Sequence, residues 1–183
     1  EFSPNDLQVK YGEAVLRFRE KKYSEARDAI EDVLKAIPNY LPAELLAGAL
    51  DYQLGSYEQA HQYLTQFLGQ YPGNAYAANL LAATDLQLNQ PGEAIKSLDP
   101  LLVDNNGDPA SLALAGQAYM QSHDYAKATK YFEQAAAASP KDSSVLARLG
   151  ASRLAVGETD QAIKDLQSAA NMDAGGSKAD AWL

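Results

Sequence analysis

Between Leu41 and Leu54 the apolar residues recur at helical spacing, Gly55 and Ser56 interrupt them, and the same period resumes from Tyr57 to Tyr71 before Pro72-Gly73-Asn74. Such a stripe, broken once and then closed by helix-stopping residues, predicts two amphipathic helices joined by a short turn. The pattern returns along the whole chain. Ala26, Ala60, Ala94, Ala128 and Ala162 stand 34 residues apart, and twelve residues before each lies a small residue: Ala14, Gly48, Ala82, Gly116 or Gly150. Four residues after each alanine comes a large apolar one, Ile30, Leu64, Leu98, Phe132 or Leu166, and three further on Val33, Phe67, Leu101, Ala135 or Ala169. Pro38, Pro72 and Pro140 mark the ends of three units. The register defines five units, 7–40, 41–74, 75–108, 109–142 and 143–176, which take up 170 of 183 residues.

Within a unit the small columns let two helix backbones approach, and the large columns fill the seam beside them. A bigger side chain at the close contact would force the helices apart, at a cost of about 1–3 kcal/mol. A single helical hairpin cannot bury its apolar face; stacked neighbours can, so units of this kind occur in arrays without one central core.

These columns resemble the tetratricopeptide repeat (TPR). The second unit carries Gly48, Tyr57, Ala60, Phe67 and Pro72, and the fourth Gly116, Tyr119, Tyr125, Ala128, Phe132, Ala135 and Pro140. The third unit departs, with Pro91 where an aromatic is usual and Asn106 where the closing proline is usual, which puts its inter-helix turn in question. The resemblance implies an all-α fold: a right-handed α-solenoid of about five helical hairpins. A narrower resemblance is carried by LPAELLAGALDYQLGSYEQAHQYL (41–64), LLAATDLQLNQPGEAIKSLDPLL (80–102), ALAGQAYMQSHDYAKATKYFEQAAA (113–137) and RLGASRLAVGETDQAIKDLQSAA (148–170). These look like the TPR-repeat lipoproteins of the bacterial PEP-CTERM/exosortase system. That likeness implies a long periplasmic array tethered to the outer membrane and linked to exopolysaccharide production and protein sorting.

Residues 1–6 precede the first unit, and Glu1-Phe2 reads as a cloning remnant outside the fold. After the fifth unit, Gly175-Gly176-Ser177-Lys178 predicts a loop, and 177–183, with Trp182, the start of a truncated sixth unit. A fragment of a longer array is expected, with end faces apolar enough for copies to associate through them.

In the TPR arrangement the first helices line a concave groove. The groove rows expected here are Tyr11, Leu45, Asn79, Ala113 and Ala147; Val15, Ala49, Ala83, Gln117 and Ala151; and Phe18, Tyr52, Leu86, Met120 and Leu154, flanked by Arg19, Gln53, Gln87 and Gln121. Tyr76 joins Tyr11 and Tyr52 as an aromatic that sugar rings could stack on. The groove should be apolar with amide edges and a single cation, Arg19, near its start. Lys is absent from the first two rows, which argues against capture of a C-terminal carboxylate. The third row reads equally well as a stripe for an extended or helical peptide and as ordinary helix packing.

Composition narrows the function classes. There is no cysteine, so disulfides, cysteine zinc sites and thiol nucleophiles are excluded. Lys and Arg number 15 against 24 Asp and Glu, a net charge of −9 that argues against nucleic acid. The charge is uneven: the five units carry +1, −3, −4, 0 and −1, so the acidity sits in the second and third. That block reads better as solvation than as steering of a basic partner. No apolar run approaches the roughly 18 residues of a membrane helix.

Catalytic and metal chemistry find no footing. His61 and His123 form no i, i+4 pair or HExxH motif. Asp104-Asn105-Asn106-Gly107-Asp108 superficially looks like a calcium loop, but its glycine is displaced, Pro109 follows, and Ala115 stands where a bidentate Glu is needed. No cofactor is expected. The sequence therefore points to a non-catalytic scaffold whose groove binds a peptide or protein segment, with exopolysaccharide binding and a rigid spacer role as the alternatives.

Overall fold

The computed structural model describes residues 4–103 and 107–180, with side-chain surroundings from 6 to 172 within those stretches. Every regular element among them is helical. The chain divides into two compact units, Glu1–Leu88 and Asn89–Leu183. The first holds α1 (Pro4–Arg19), α2 (Tyr23–Ala36), α3 (Leu41–Gln53), α4 (Tyr57–Gln70) and α5 (Ala75–Gln87). The second holds α6 (Pro91–Leu98), a 3-10 turn (Asp99–Leu101), α7 (Pro109–Gln121), α8 (Tyr125–Ala138), α9 (Ser143–Val156) and α10 (Thr159–Asp180). Within each unit every helix packs on the next one in the chain, and first helices of adjacent repeats also touch, α3 on α1 and α5 in one unit, α7 on α9 in the other. The all-helical repeat fold is thus the one the 34-residue register predicts.

The seam inside each hairpin follows from the small columns. The five alanines from Ala26 to Ala162 are fully buried. A Cβ added at Gly48 would lie 2.7 Å from Leu64 Cγ, at Gly116 2.7 Å from Phe132 Cδ1, and at Gly150 2.7 Å from Leu166 Cγ. Glycine is therefore required at these points for close approach: the partner's bulk occupies the space a methyl would need. The buried core is divided among the repeats. Ala14, Ile30, Val33, Ala47 and Leu50 form one cluster and Leu64, Phe67, Ala77 and Leu81 another, while Phe132 packs with Ala128 and Leu149.

The turns between first and second helices share one device. Lys21, Gly55, Asn89, His123 and Gly157 all have positive φ, between 57° and 88°, and stand 34 residues apart. At four of these turns a backbone N–H reaches back five residues, Lys22 to Arg17, Ser56 to Asp51, Asp124 to Tyr119 and Glu158 to Arg153, at 2.8–2.9 Å. That is the bond of a Schellman close, with the left-handed residue just after the helix. Second helices begin without such geometry, but Asp124 caps α8 by accepting from Lys127 N. Among first helices, Asn74, Asp108 and Asp142 cap α5, α7 and α9 in the same way.

The third repeat tolerates its departures. Pro91 occupies the first position of α6, where its missing N–H has no intrahelical partner to lose. Pro100 then ends α6 after eight residues, against fourteen for α2, α4 and α8, because a proline cannot supply the bond back to Lys96.

One expectation is corrected. The loop read at Gly175-Gly176-Ser177-Lys178 is helical, for α10 runs unbroken for 22 residues to Asp180. Where Pro38, Pro72 and Pro140 stop the other repeats the register here places Ala174, the best helix former, and two glycines cost only about 1 kcal/mol each. Trp182, the marker for a sixth repeat, lies outside the described residues, as do Asp104, Asn105 and Asn106 of the calcium-like loop.

A paired substitution checks the seam. Gly48→Ala is expected to lower the unfolding free energy by about 1–2 kcal/mol, since overpacking outweighs the roughly 1 kcal/mol of helix propensity gained. Gly12→Ala, with nothing within 4 Å of the new methyl, should raise it by about 0.5–1 kcal/mol. Urea titration of both variants decides; equal effects of one sign would contradict the seam.

Candidate binding surfaces

The rows expected to line a groove fare differently in the two units. In the first, Tyr11 packs edge-on to Tyr40 at 5.8 Å, Phe18 meets Tyr23 at 5.6 Å, and Tyr52 meets Tyr57 at 5.8 Å. Leu45 and Tyr52 are half-buried against the Leu64 cluster, and Val15 is half-buried as well. Leu86 is only 5% exposed, so it is a core residue and not a groove anchor. In the first unit the third row thus packs on neighbouring side chains, Leu86 fully and Phe18 and Tyr52 in part. Arg19, Gln53 and Gln87 are exposed, and Asn79 is half-buried. Of the tyrosines read as sugar platforms, Tyr76 alone stands mostly in solvent, 56% exposed.

In the second unit the rows assemble a pocket. Gln117 and Met120 from α7, Arg148 and Ala151 from α9, and Phe132 from α8 enclose about 290 Å³. The guanidinium Nη1 of Arg148 donates to Gln117 Oε1 at 2.6 Å, so a cation and an amide sit together over an apolar floor. Gln121, expected beside them, instead donates from Nε2 to Asn89 Oδ1 at 3.0 Å and ties the end of α7 to the turn that precedes α6. Arg148 corrects the expectation of a single groove cation at Arg19. It was missed because its column reads Gly12, Leu46, Leu80 and Leu114 before changing to Arg at the fifth repeat; its place beside Ala147 was the available signal.

A second column also escaped the sequence reading. Arg17, Asp51, Asp85, Tyr119 and Arg153 share one register position, and at Asp51, Asp85 and Arg153 it faces the preceding second helix. Arg27 Nε donates to Asp51 Oδ1 at 2.6 Å, and His61 Nδ1 meets Asp85 Oδ1 at 2.6 Å, so α2 is tied to α3 and α4 to α5 by the same step. Arg153 joins Glu133 of α8 at 2.7 Å and Asp165 of α10 at 2.5 Å. Tyr119 stacks on Tyr131, with ring centroids 5.4 Å apart. Burial pushes the Asp51 carboxyl above its usual range, while the hydrogen bond from Arg27 draws it down. His61 is thereby engaged in the fold, and His123 meets the Tyr125 hydroxyl at 2.9 Å. Among the described residues no three His, Asp or Glu side chains converge as a metal cluster, and no helix is long and apolar enough to cross a membrane.

The first repeat exposes what the later ones cover. Val9 and Leu16 are 70% and 56% exposed, whereas Ala43 and Leu50, one register step on, are fully buried. The same repeat holds a cleft of about 510 Å³ lined by Lys10, Glu13, Arg17, Glu25, Asp32 and Lys35 among others. Its charges are matched as Lys10–Asp32, Arg17–Glu13, Arg17–Glu25 and Lys35–Glu31 pairs. The expected apolar end face comes down to Val9 and Leu16, on a helix that also carries the paired Lys10, Glu13 and Arg17.

The chain is similar in fold to several solved structures. A crystal structure of MamA is 21% identical, with 90% of this chain and 96% of that chain covered and a TM-score of 0.80. MamA 41-end from Desulfovibrio magneticus RS-1 is 16% identical, with 92% and 96% covered and a TM-score of 0.84. A MamA RS-1 double mutant reaches a TM-score of 0.85 at 16% identity over 94% of this chain and 97% of that one. At such identities the likeness concerns the fold alone. No curated protein matches the sequence. The tetratricopeptide repeat model matches residues 51–118 and 119–182, most of the chain. Stacked repeats of this kind are scaffolds suited to protein–protein interaction. The chain belongs to the tetratricopeptide repeat family.

Proposed function

We propose that this chain is a non-catalytic scaffold that holds a protein segment at the pocket between α7 and α9. The observation that supports the reading is the pocket's chemistry. Met120, Phe132 and Ala151 offer an apolar floor, and Arg148, braced by Gln117, offers a fixed cation at the rim. A peptide suits it that inserts one apolar side chain and presents a neighbouring carboxylate to the guanidinium, a charge-assisted bond stronger than a neutral one. A sugar polymer is the weaker fit, since Tyr11 and Tyr52 are engaged by other rings and Tyr76 has no aromatic companion in its unit's contacts.

The four sequence strings that look like PEP-CTERM/exosortase lipoproteins support a setting in a bacterial envelope assembly for exopolysaccharide or protein sorting, in the periplasm and tethered to the outer membrane. Within such an assembly, Val9 and Leu16 favour association with a second copy. Their register partners in every later repeat are buried, and a second chain docked on Val9 and Leu16 gives them the same cover.

Two measurements check these readings. Peptides selected on the full chain from a random displayed library should carry an apolar residue beside an acidic one. Arg148→Ala and Met120→Ala should each weaken them about tenfold, about 1.4 kcal/mol; unchanged affinity in both variants would remove the pocket from the account. Light scattering against concentration should show self-association that Leu16→Lys abolishes; a monomer at all concentrations before substitution would exclude it.

A further inference from the structure

Three acidic side chains are buried in the first compact unit: Glu44, Asp51 and Asp85, each at most 3% exposed. Asp51 and Asp85 each meet a basic side chain from the preceding second helix, Arg27 and His61, at 2.6 Å. Glu44 meets none, and its Oε2 is sealed from solvent without a hydrogen-bond partner. The same register position holds Ala78 and Leu112 in the third and fourth repeats, both buried hydrocarbon. A carboxylate is costly at such a place unless it is protonated or its charge is answered. Burial does hold the Glu44 carboxyl above its ordinary range.

What distinguishes Glu44 is the space beside it. It lines a cavity of about 370 Å³ together with Asn39, Leu41, Gln66 and Gln70. Gln66 Nε2 donates to Asn39 Oδ1 at 2.7 Å, so the amide's donor is engaged while its oxygen remains an acceptor. Glu44 is the one ionisable side chain in that lining. The cavity therefore combines one carboxyl group, amide acceptors and an apolar wall at Leu41.

We propose that the Glu44 cavity binds a primary ammonium group, with its alkyl chain along Leu41 and its N–H donors on the Glu44 carboxylate and the amide oxygens of Gln66 and Gln70. The donor set selects this cation over others. Calcium takes six to eight oxygens, several from carboxylates, and one carboxylate is present here. A guanidinium binds best as a fork on both carboxylate oxygens, and Oε2 is closed off. An ammonium is a compact point charge with three donors and needs only the other oxygen. The group comes from a free alkylamine or from a lysine side chain of a partner. The site is separate from the pocket between α7 and α9, and its test does not depend on that reading.

The test is thermal unfolding of the full chain at pH 7 in n-butylammonium chloride against KCl of equal ionic strength. A parallel arm uses acetyl-Gly-Lys-Gly-amide against acetyl-Gly-Gly-Gly-amide. The wild-type midpoint should rise by about 3 °C at ten times the dissociation constant. Tetramethylammonium, which has no N–H, should leave it unmoved. Glu44→Gln should abolish the rise, and Glu44→Leu, which restores the hydrocarbon of the sister repeats, should fold with a higher midpoint and no response to either ligand. A response to butylammonium shows that a free amine suffices, and a response to the lysine peptide alone assigns the source to a protein side chain. Midpoints in butylammonium and lysine peptide equal to their controls, or a rise in Glu44→Gln as large as in wild type, would overturn the proposal.

Discussion

Close contact between helices, which in three of the repeats leaves no room for a methyl group, is the constraint on which the hairpins rest. At Gly48, Gly116 and Gly150 the neighbouring Leu64, Phe132 and Leu166 fill the space a Cβ would take, and the alanine column runs fully buried beside them. Bulk is thus concentrated on the second helix and removed from the first. This division fixes the separation of the two helices and with it the faces left over: one for the next repeat, one for solvent. The second of these faces is where the α7–α9 pocket forms.

The contact between repeats is built on a different principle. Apolar positions such as Leu50 and Ala77 supply burial, but Asp51, Asp85 and Arg153, at one register position, supply direction through Arg27, His61 and Glu133 of the preceding repeat. A hydrophobic face tolerates sliding, whereas an Arg27–Asp51 or His61–Asp85 pair is satisfied at one offset only. Buried pairs are weak sources of net stability, and removing one partner is costly because the other is left uncompensated. Glu44 stands out against this background as a buried acid that meets no counter-charge among the described residues.

The helices and their pairing were legible because a 34-residue period multiplies a weak local signal fivefold: one alanine says little, five in step specify a seam. Stops were legible wherever proline marks them and illegible at Ala174, where two glycines suggested a loop that α10 ignores. The recurring left-handed turn was hidden because Lys21, Asn89 and His123 share that conformation with Gly55 and Gly157 but not their chemistry. The binding surface was half legible. Gln117 and Met120 were found by their columns, but Leu86 occupies the same column as Met120 and is buried, because exposure depends on the neighbouring repeat and not on register alone. Arg148 was missed because it breaks an otherwise apolar column, and Glu44 because its column runs from Lys10 to Ala78, Leu112 and Leu146 and so has no constant character.

The central claim, that small and large residues at the seam are matched as pairs, is tested most directly by a double-mutant cycle on Gly116→Ala and Phe132→Ala, followed by chemical denaturation. Each single change should destabilise the chain. The double variant should be more stable than the sum of the two predicts, by about 1 kcal/mol or more, because the smaller side chain makes room for the new methyl. Additive effects within about 0.3–0.5 kcal/mol would show that the two positions do not share the space, and would contradict the account.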